Sequence, residues 1–213
     1  MFTGASYQKD GKQIQVNLLE QNDHVGGSSV SDWITEWWNW AISERINDNQ
    51  TGDVCFLRTN PKPSENTSPI NTKLQSSATV SKNQAIIFPC LNTMIDDGTF
   101  PAENTHTKRI KVAKDENDKS NKFECTIDSV DILGGNPKDK IRMSSDEFNL
   151  KAIGSPSVLL DYNIPQGTHK AAVDGYFVCI KGLPPHENPY IVIIKSQGVN
   201  GYADDIKYKL QVA

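Results

Sequence analysis

Four tryptophans, Trp33, Trp37, Trp38 and Trp40, stand close together with Glu36 among them. Indole faces stack on sugar rings and lose little rotamer freedom in doing so. An exposed tryptophan beside a carboxylic acid is therefore suited to glycan binding or glycan chemistry. Trp33, Trp37 and Trp40 follow i, i+4, i+7 spacing and share one helical stripe, which suits packing against a sheet. Trp38 lies off that stripe and is the residue expected at the surface, with Glu36 as its acid. A second group, Asp96-Asp97-Gly98 with Asn92 and Glu103 nearby, supplies hard oxygen ligands of the kind calcium takes. It does not match the twelve-residue helix-loop-helix pattern, and an acidic turn uses the same residues. No metal or other cofactor is expected.

Hydrolytic chemistry finds no motif. His24, His106, His169 and His186 stand in loop-like contexts, none beside a Gly-x-Ser-x-Gly elbow or within a His-Glu-x-x-His pair. Asp128 and Asp131 are near neighbours, as are Asp204 and Asp205, but glycosidase carboxylates are defined by their separation across a cleft. Gly134-Gly135 runs into Asn136-Pro137 rather than a helix, so it is no phosphate cradle. The residues favour a structural or binding role over catalysis.

With 213 residues, 37% hydrophobic and 23% charged, the chain is long enough to bury a core without staples. A net charge of −4 and only four arginines (Arg45, Arg58, Arg109, Arg142) leave no basic footprint for nucleic acid. No apolar run approaches the roughly 20 residues that span a bilayer, and the start of the chain shows no apolar signal-peptide core. Cys55, Cys90, Cys125 and Cys179 each lie in an apolar, strand-like run. Such cysteines read as buried thiols, with two disulfides in any of three pairings as the alternative. No pair has the Cys-x-x-Cys spacing of a zinc site.

The elements that must position these residues are mostly strands. Ile14, Val16 and Leu18 alternate with polar residues over 12–20, the period of a half-buried strand. Ser29 and Asp32 form a capping-box pattern opening a helix over 30–46. Apolar runs then recur at 54–57, 84–91, 109–112, 123–127, 130–133, 157–160, 176–180, 190–195 and 206–212. Turn clusters separate them, among them Asp96-Asp97-Gly98, Gly134–Pro137, Pro184-Pro185 and 198–201; the stretch 60–68 is rich in proline and polar residues. In the last run Ile206, Tyr208, Leu210 and Val212 face one way, as in a strand inside a sheet. Many short strands without alternating helices predict a mainly-β fold, a β-sandwich or jelly-roll-like single domain with one tryptophan-rich helix packed on a sheet. Asn49-Gln50-Thr51 and Asn66-Thr67-Ser68 are glycosylation sequons, which matter only in an exported protein.

Several segments carry a resemblance: Trp33-Ile34-Thr35-Glu36-Trp37-Trp38-Asn39-Trp40-Ala41, Gly52-Asp53-Val54-Cys55-Phe56-Leu57, Gln84 through Asn92, Ile127-Asp128-Ser129-Val130, Gly167 through Phe177, Gly182-Leu183-Pro184-Pro185-His186 and the closing strand. Together they resemble an uncharacterised family of mostly exported bacterial and archaeal β-rich proteins, from about Ser31 onward. The resemblance implies a fold and no reaction. This chain departs from it at Cys55 and Phe177, where tryptophans are expected, and in having no evident signal.

The division expected is an extension over 1–30, containing one strand as a candidate assembly arm, followed by a β-sandwich domain over 31–213. The function expected is a non-enzymatic structural or surface-binding protein on a virion exterior, as a capsid decoration, or in an extracellular or cell-envelope assembly. Its partners would be protein subunits of that assembly, either its own copies or a capsid or envelope protein, with no nucleic acid and no membrane insertion. Strand addition through the Ile14/Val16/Leu18 strand would let residues 1–27 be deleted without unfolding the domain. The alternative is a carbohydrate-binding module or glycan-active enzyme built on Trp38 and Glu36.

Overall fold

The computed structural model describes residues 1–43, 50–58, 71–119, 122–134, 138–153, 159, 163–197 and 203–213. Arg45 and Ile46 of the expected helix, the sequon asparagines Asn49 and Asn66, and the stretch 60–68 lie outside these residues. So do most of the expected strand 157–160 and most of the turns at 134–137 and 198–201.

The chain opens with a hairpin of β1 (Phe2–Lys9) and β2 (Lys12–Leu18), turned by Asp10 and Gly11. Both turn residues have positive φ, 48° and 79°, as a two-residue type I′ loop requires. Short strands β3 (His24–Val25) and β4 (Ser28–Ser29) lead into α1 (Val30–Ala41). Then come β5 (Gln50–Thr51), β6 (Val54–Phe56), β7 (Asn71–Val80), β8 (Ala85–Asp96) and α2 (His106–Asp118). The second half holds β9 (Lys122–Ile127), β10 (Val130–Asp131), the short α3 (Lys138–Ile141), β11 (Arg142–Ser144), β12 (Phe148–Ala152), β13 (Gly167–Lys181), β14 (Tyr190–Gln197) and β15 (Ala203–Val212).

The result is the expected mainly-β sandwich in one domain. One sheet runs β1-β2-β13-β8-β6-β5, and β11 and β12 also pair with β13. The other runs β10-β9-β14-β15-β7. Between them lies a core of Ile86, Phe88, Val178 and Ile180 from the first sheet with Ile127, Val192, Ile194, Ile206 and Leu210 from the second. A second core lies on the opposite face of the first sheet, where Phe56, Ile87, Phe177 and Cys179 meet α1. The middle sheet is thus apolar on both faces, which is why β8 and β13 read as continuous apolar runs rather than alternating ones.

α1 begins as its capping box predicts. The Asp32 backbone N–H donates to Ser29 Oγ at 3.1 Å, and the Ser29 N–H donates to Asp32 Oδ2 at 3.0 Å. Its helical residues end at Ala41, with Ile42 as the cap.

Two expectations are corrected. Residues 109–112, read as a strand, lie in α2, capped by Thr105. The buried residues of α2 are Arg109, Ala113 and Asn117, four apart. Two of these three are polar, so the 3.6-residue period does not register as hydrophobic, and Ile110 and Val112 mimic a strand. The second correction concerns Ile14, Val16 and Leu18. They are 2%, 0% and 0% exposed and sit in the core between the sheets. β2 joins β13 through Leu18 opposite Ile180, and Leu19 N–H donates to Cys179 O at 2.7 Å. The apolar face of this strand is engaged within its own chain and is not available to a neighbour.

Deleting residues 1–27 is therefore expected to abolish cooperative folding rather than to leave a folded domain. Val16→Ala and Leu18→Ala should each cost about 2–4 kcal/mol in urea unfolding. Losses near zero would show the hairpin to be dispensable.

Candidate functional site

The tryptophan helix has little to offer a ligand. Trp37 is fully buried, donates from Nε1 to Leu57 O at 3.0 Å, and meets Trp38 and Phe177 edge-on with centroids 5.4 and 6.4 Å apart. Trp40 packs on Phe56 at 5.7 Å. Trp33, half-buried, donates to Val25 O at 3.0 Å and lies edge-on to Phe56. Trp38, expected at the surface, is only 5% exposed and belongs to the same apolar cluster, with Leu150 and Ala152 of β12. Glu36 is exposed, with no aromatic platform presented beside it. The helix is enclosed because Leu150 and Ala152 of β12, together with Leu159 and Ile164, contribute to the same core.

Asp96 and Asp97 are likewise engaged in local structure. Asp96 is 1% exposed, and its Oδ1 accepts from the N–H groups of Gly98 and Thr99 at 2.9 and 2.8 Å, closing the turn after β8. Asp97 Oδ1 accepts from Lys170 N–H at 3.1 Å. Asn92 and Glu103 do not join them: among the described residues no three histidine, cysteine or acidic side chains gather as a metal site would need.

A polar recess of about 230 Å³ lies at the start of α1. Its wall includes Gln21, Ser31, Asp32, Thr35, Asp146 and Glu147, from two regions far apart in the chain. Asp32 is engaged in the capping box, and Glu147 pairs with the buried Arg109. Gln21 donates to Ser144 O at 3.0 Å. The recess is below the roughly 300 Å³ at which small-molecule pockets begin. Its oxygens can accept hydrogen bonds from hydroxyl or ammonium groups.

One buried and one half-buried polar centre hold the fold rather than a ligand. Asp174, 0% exposed on β13, accepts from Arg142 Nη2 at 3.0 Å and Ser144 Oγ at 2.7 Å, and from Asn117 Nδ2 of α2 at 3.2 Å. These bonds make a buried carboxylate tolerable. Asp128 sits at the β9–β10 turn, where it and Ser129 have φ of 50° and 69°. It accepts from Tyr7 Oη, Lys9 Nζ and Ile191 N–H, each at 2.9 Å, tying the first hairpin to the second sheet. Burial, then the hydrogen bond from Tyr7 to Asp128, pushes the Tyr7 phenol far above its ordinary value. Burial and then the Asp128 charge push Tyr190 up to about 12. Tyr208 is also pushed up to about 12, by burial foremost.

What the second sheet presents outward is an edge. β7 runs parallel to β15 in unbroken register from Asn71 opposite Ala203 to Val80 opposite Val212. Among the described residues no strand pairs with its other side. Ala78 and Val80 point into the core, and Ser77 and Thr79 are exposed. Lys73 is the single charge in the ten residues of this strand. A long, nearly uncharged edge carries a row of backbone donors and acceptors and is a template for strand addition. The pairing that makes it a strand is with the far end of the chain.

No family model matches the chain, and no curated protein matches it. Among solved structures it is similar to one described as "Structure of PbICP-C in complex with falcipain-2", with a TM-score of 0.28 and 11% sequence identity. That match spans 76% of this chain and 100% of the other, and a likeness this distant carries no argument.

Two outcomes follow from the buried side chains. Tryptophan emission should be weakly quenched by acrylamide and unchanged by soluble oligosaccharides; strong glycan quenching would restore the aromatic-platform reading. The tyrosines give a pH dependence with a definite sign. Where a folded-state pKa exceeds the unfolded value near 10, the folded state holds more protons between the two values, so stability falls as pH rises. The contribution of Tyr190 and Tyr208 is present below pH 10 and lost through about pH 12. The melting temperature should fall over that window, and less so in Tyr190→Phe, with tyrosinate absorbance at 295 nm appearing late.

Proposed function

We propose that this protein is a non-enzymatic structural or surface-binding component, which enters a protein assembly by adding the β7 edge to a strand of a neighbouring subunit. The observation that carries the reading is that edge: ten residues long, with one charge, and without a strand partner among the described residues. Support also comes from the aromatic residues, which are engaged in packing α1 onto the sheet. The settings that fit are the exterior of a virus particle, in the manner of a capsid decoration, and a cell envelope. The partners would be copies of this chain or a capsid or envelope protein. Strand addition supplies backbone hydrogen bonds along the edge, and the outward side chains of β7 would supply selectivity.

Fractionation of the source material tests the setting. Quantitative mass spectrometry of cytosol, washed envelope and density-purified particles should find the protein at a fixed ratio to a major structural protein of one of the last two. A protein found mainly in cytosol would overturn the reading. The edge itself is tested by Ser77→Lys, an exposed position where substitution should change stability by no more than about 0.5 kcal/mol. The substituted protein should fold normally yet fail to enter the assembly fraction, because a lysine on an edge strand opposes pairing.

A further inference from the structure

The two edges of β7 can be told apart residue by residue. At its end the Ala213 N–H donates to Val80 O at 2.9 Å, so the Val80 carbonyl points at the β15 side. Successive residues of a strand turn their backbone groups to opposite edges. Ala78, Ser76 and Leu74 therefore face β15 as Val80 does, because the parallel register between the two strands is unbroken. Ser77, Gln75 and Lys73 turn their N–H and C=O groups to the other edge, where no strand pairs among the described residues. Ser77 is exposed, while Ala78 and Val80 are buried in the core between the sheets. The sequence of this edge is also close to neutral, with Lys73 its single charge.

We propose that the occupant of this edge is β7 of a second copy, paired antiparallel about a two-fold axis at Gln75; this rests on the strand-addition reading and names its partner. In that register opposite residues share parity, so outward backbone groups meet outward backbone groups. Lys73 lies opposite Ser77 of the second copy, and Gln75 opposite its own equivalent. The one charge of the strand thus meets a neutral hydroxyl residue. A parallel, in-register pairing would instead set lysine against lysine, and like charges directly opposite each other are destabilising. Charge therefore selects the two-fold arrangement over a stack of parallel copies. Pairing over Lys73–Ser77 supplies about six backbone hydrogen bonds. It also joins the five-stranded sheets of the two copies into one continuous sheet. Because the same patch is used on both sides, the contact closes at two copies and does not grow into a fibre.

The test is sedimentation equilibrium of the purified full chain over a concentration series, joined to residue-resolved amide hydrogen exchange. The expected species is a dimer that dissociates on dilution, with nothing larger. Ser77→Pro removes one outward donor from each copy and leaves the bonds to β15 in place, as proline on the open side of an edge strand does. It should weaken association roughly thirtyfold. Hydrogen exchange reads the same edge without a substitution, so the outcome does not depend on how that variant folds. The amides of Gln75 and Ser77 should be protected in the dimer and lose protection on dilution, while those of Ser76 and Ala78 stay protected throughout. A monomer at every concentration, with Ser77→Lys still excluded from the assembly fraction, would overturn the second copy as partner and leave strand addition standing. A dimer indifferent to Ser77→Pro, with unprotected Gln75 and Ser77 amides, would place the contact elsewhere and overturn the assignment. Protection of those two amides that persists at all dilutions would show the edge covered within its own chain, and would overturn both readings.

Discussion

Burial of β13 on both faces is the constraint from which the rest of the structure follows. From Ala171 to Ile180 every residue is buried. Such a strand has no solvent side to accept polar residues, so its side chains must alternate between two separate cores. Phe177 and Cys179 go to the α1 side; Tyr176, Val178 and Ile180 go to the core between the sheets. Its backbone groups must be satisfied by neighbours along its whole length. β8 provides them on one edge from Ala171 to Lys181, while β12, β11 and the end of β2 share the other edge in turn. The hairpin, the helix and both sheets are arranged around that requirement.

The exceptions to apolar burial are where the layers are locked together. Asp174 lies in the middle of the buried run, and its carboxylate draws Arg142 and Ser144 of β11 and Asn117 of α2 toward it. A charge in that position is tolerable only when hydrogen-bonded from several sides, so the same residue that threatens the core also fixes how α2 sits on β13. Gly175 beside it has no room for a side chain, because an added Cβ would stand 2.4 Å from Asn92 Cβ on β8. Asp128 plays the corresponding part at the other end, gathering Tyr7, Lys9 and the Ile191 amide so that the first hairpin is held against the second sheet.

A sandwich organised in this way keeps its distinctive side chains inside. Aromatic residues that could have formed a platform clamp α1, and acidic residues that could have held a cation close turns. The nearly uncharged β7 edge and the small oxygen-lined recess beside α1 are the described features that face outward, and both are assembled from segments distant in the chain.

Much of the local structure was legible because it is written in neighbouring residues. Ser29 and Asp32 start α1; Ile14/Val16/Leu18 and Ile206/Tyr208/Leu210/Val212 carry a strand's two-residue period; Asp96-Asp97-Gly98 is a turn. α2 was not legible, since Arg109 and Asn117 occupy its buried face and their partners, Glu147 and Asp174, are contributed by other elements. Trp38 was read as exposed because helical spacing fixes only which residues share a stripe, not how much surface the surrounding chain covers. Ile14, Val16 and Leu18 were correctly read as one apolar face, but the pattern cannot say whether that face meets its own core or a neighbour. The amino-acid pattern determines period, caps and turns because these depend on contacts within a few residues. Which strands stand side by side and which edge of β7 is left open are decided by long-range pairing, and only the tertiary structure holds it.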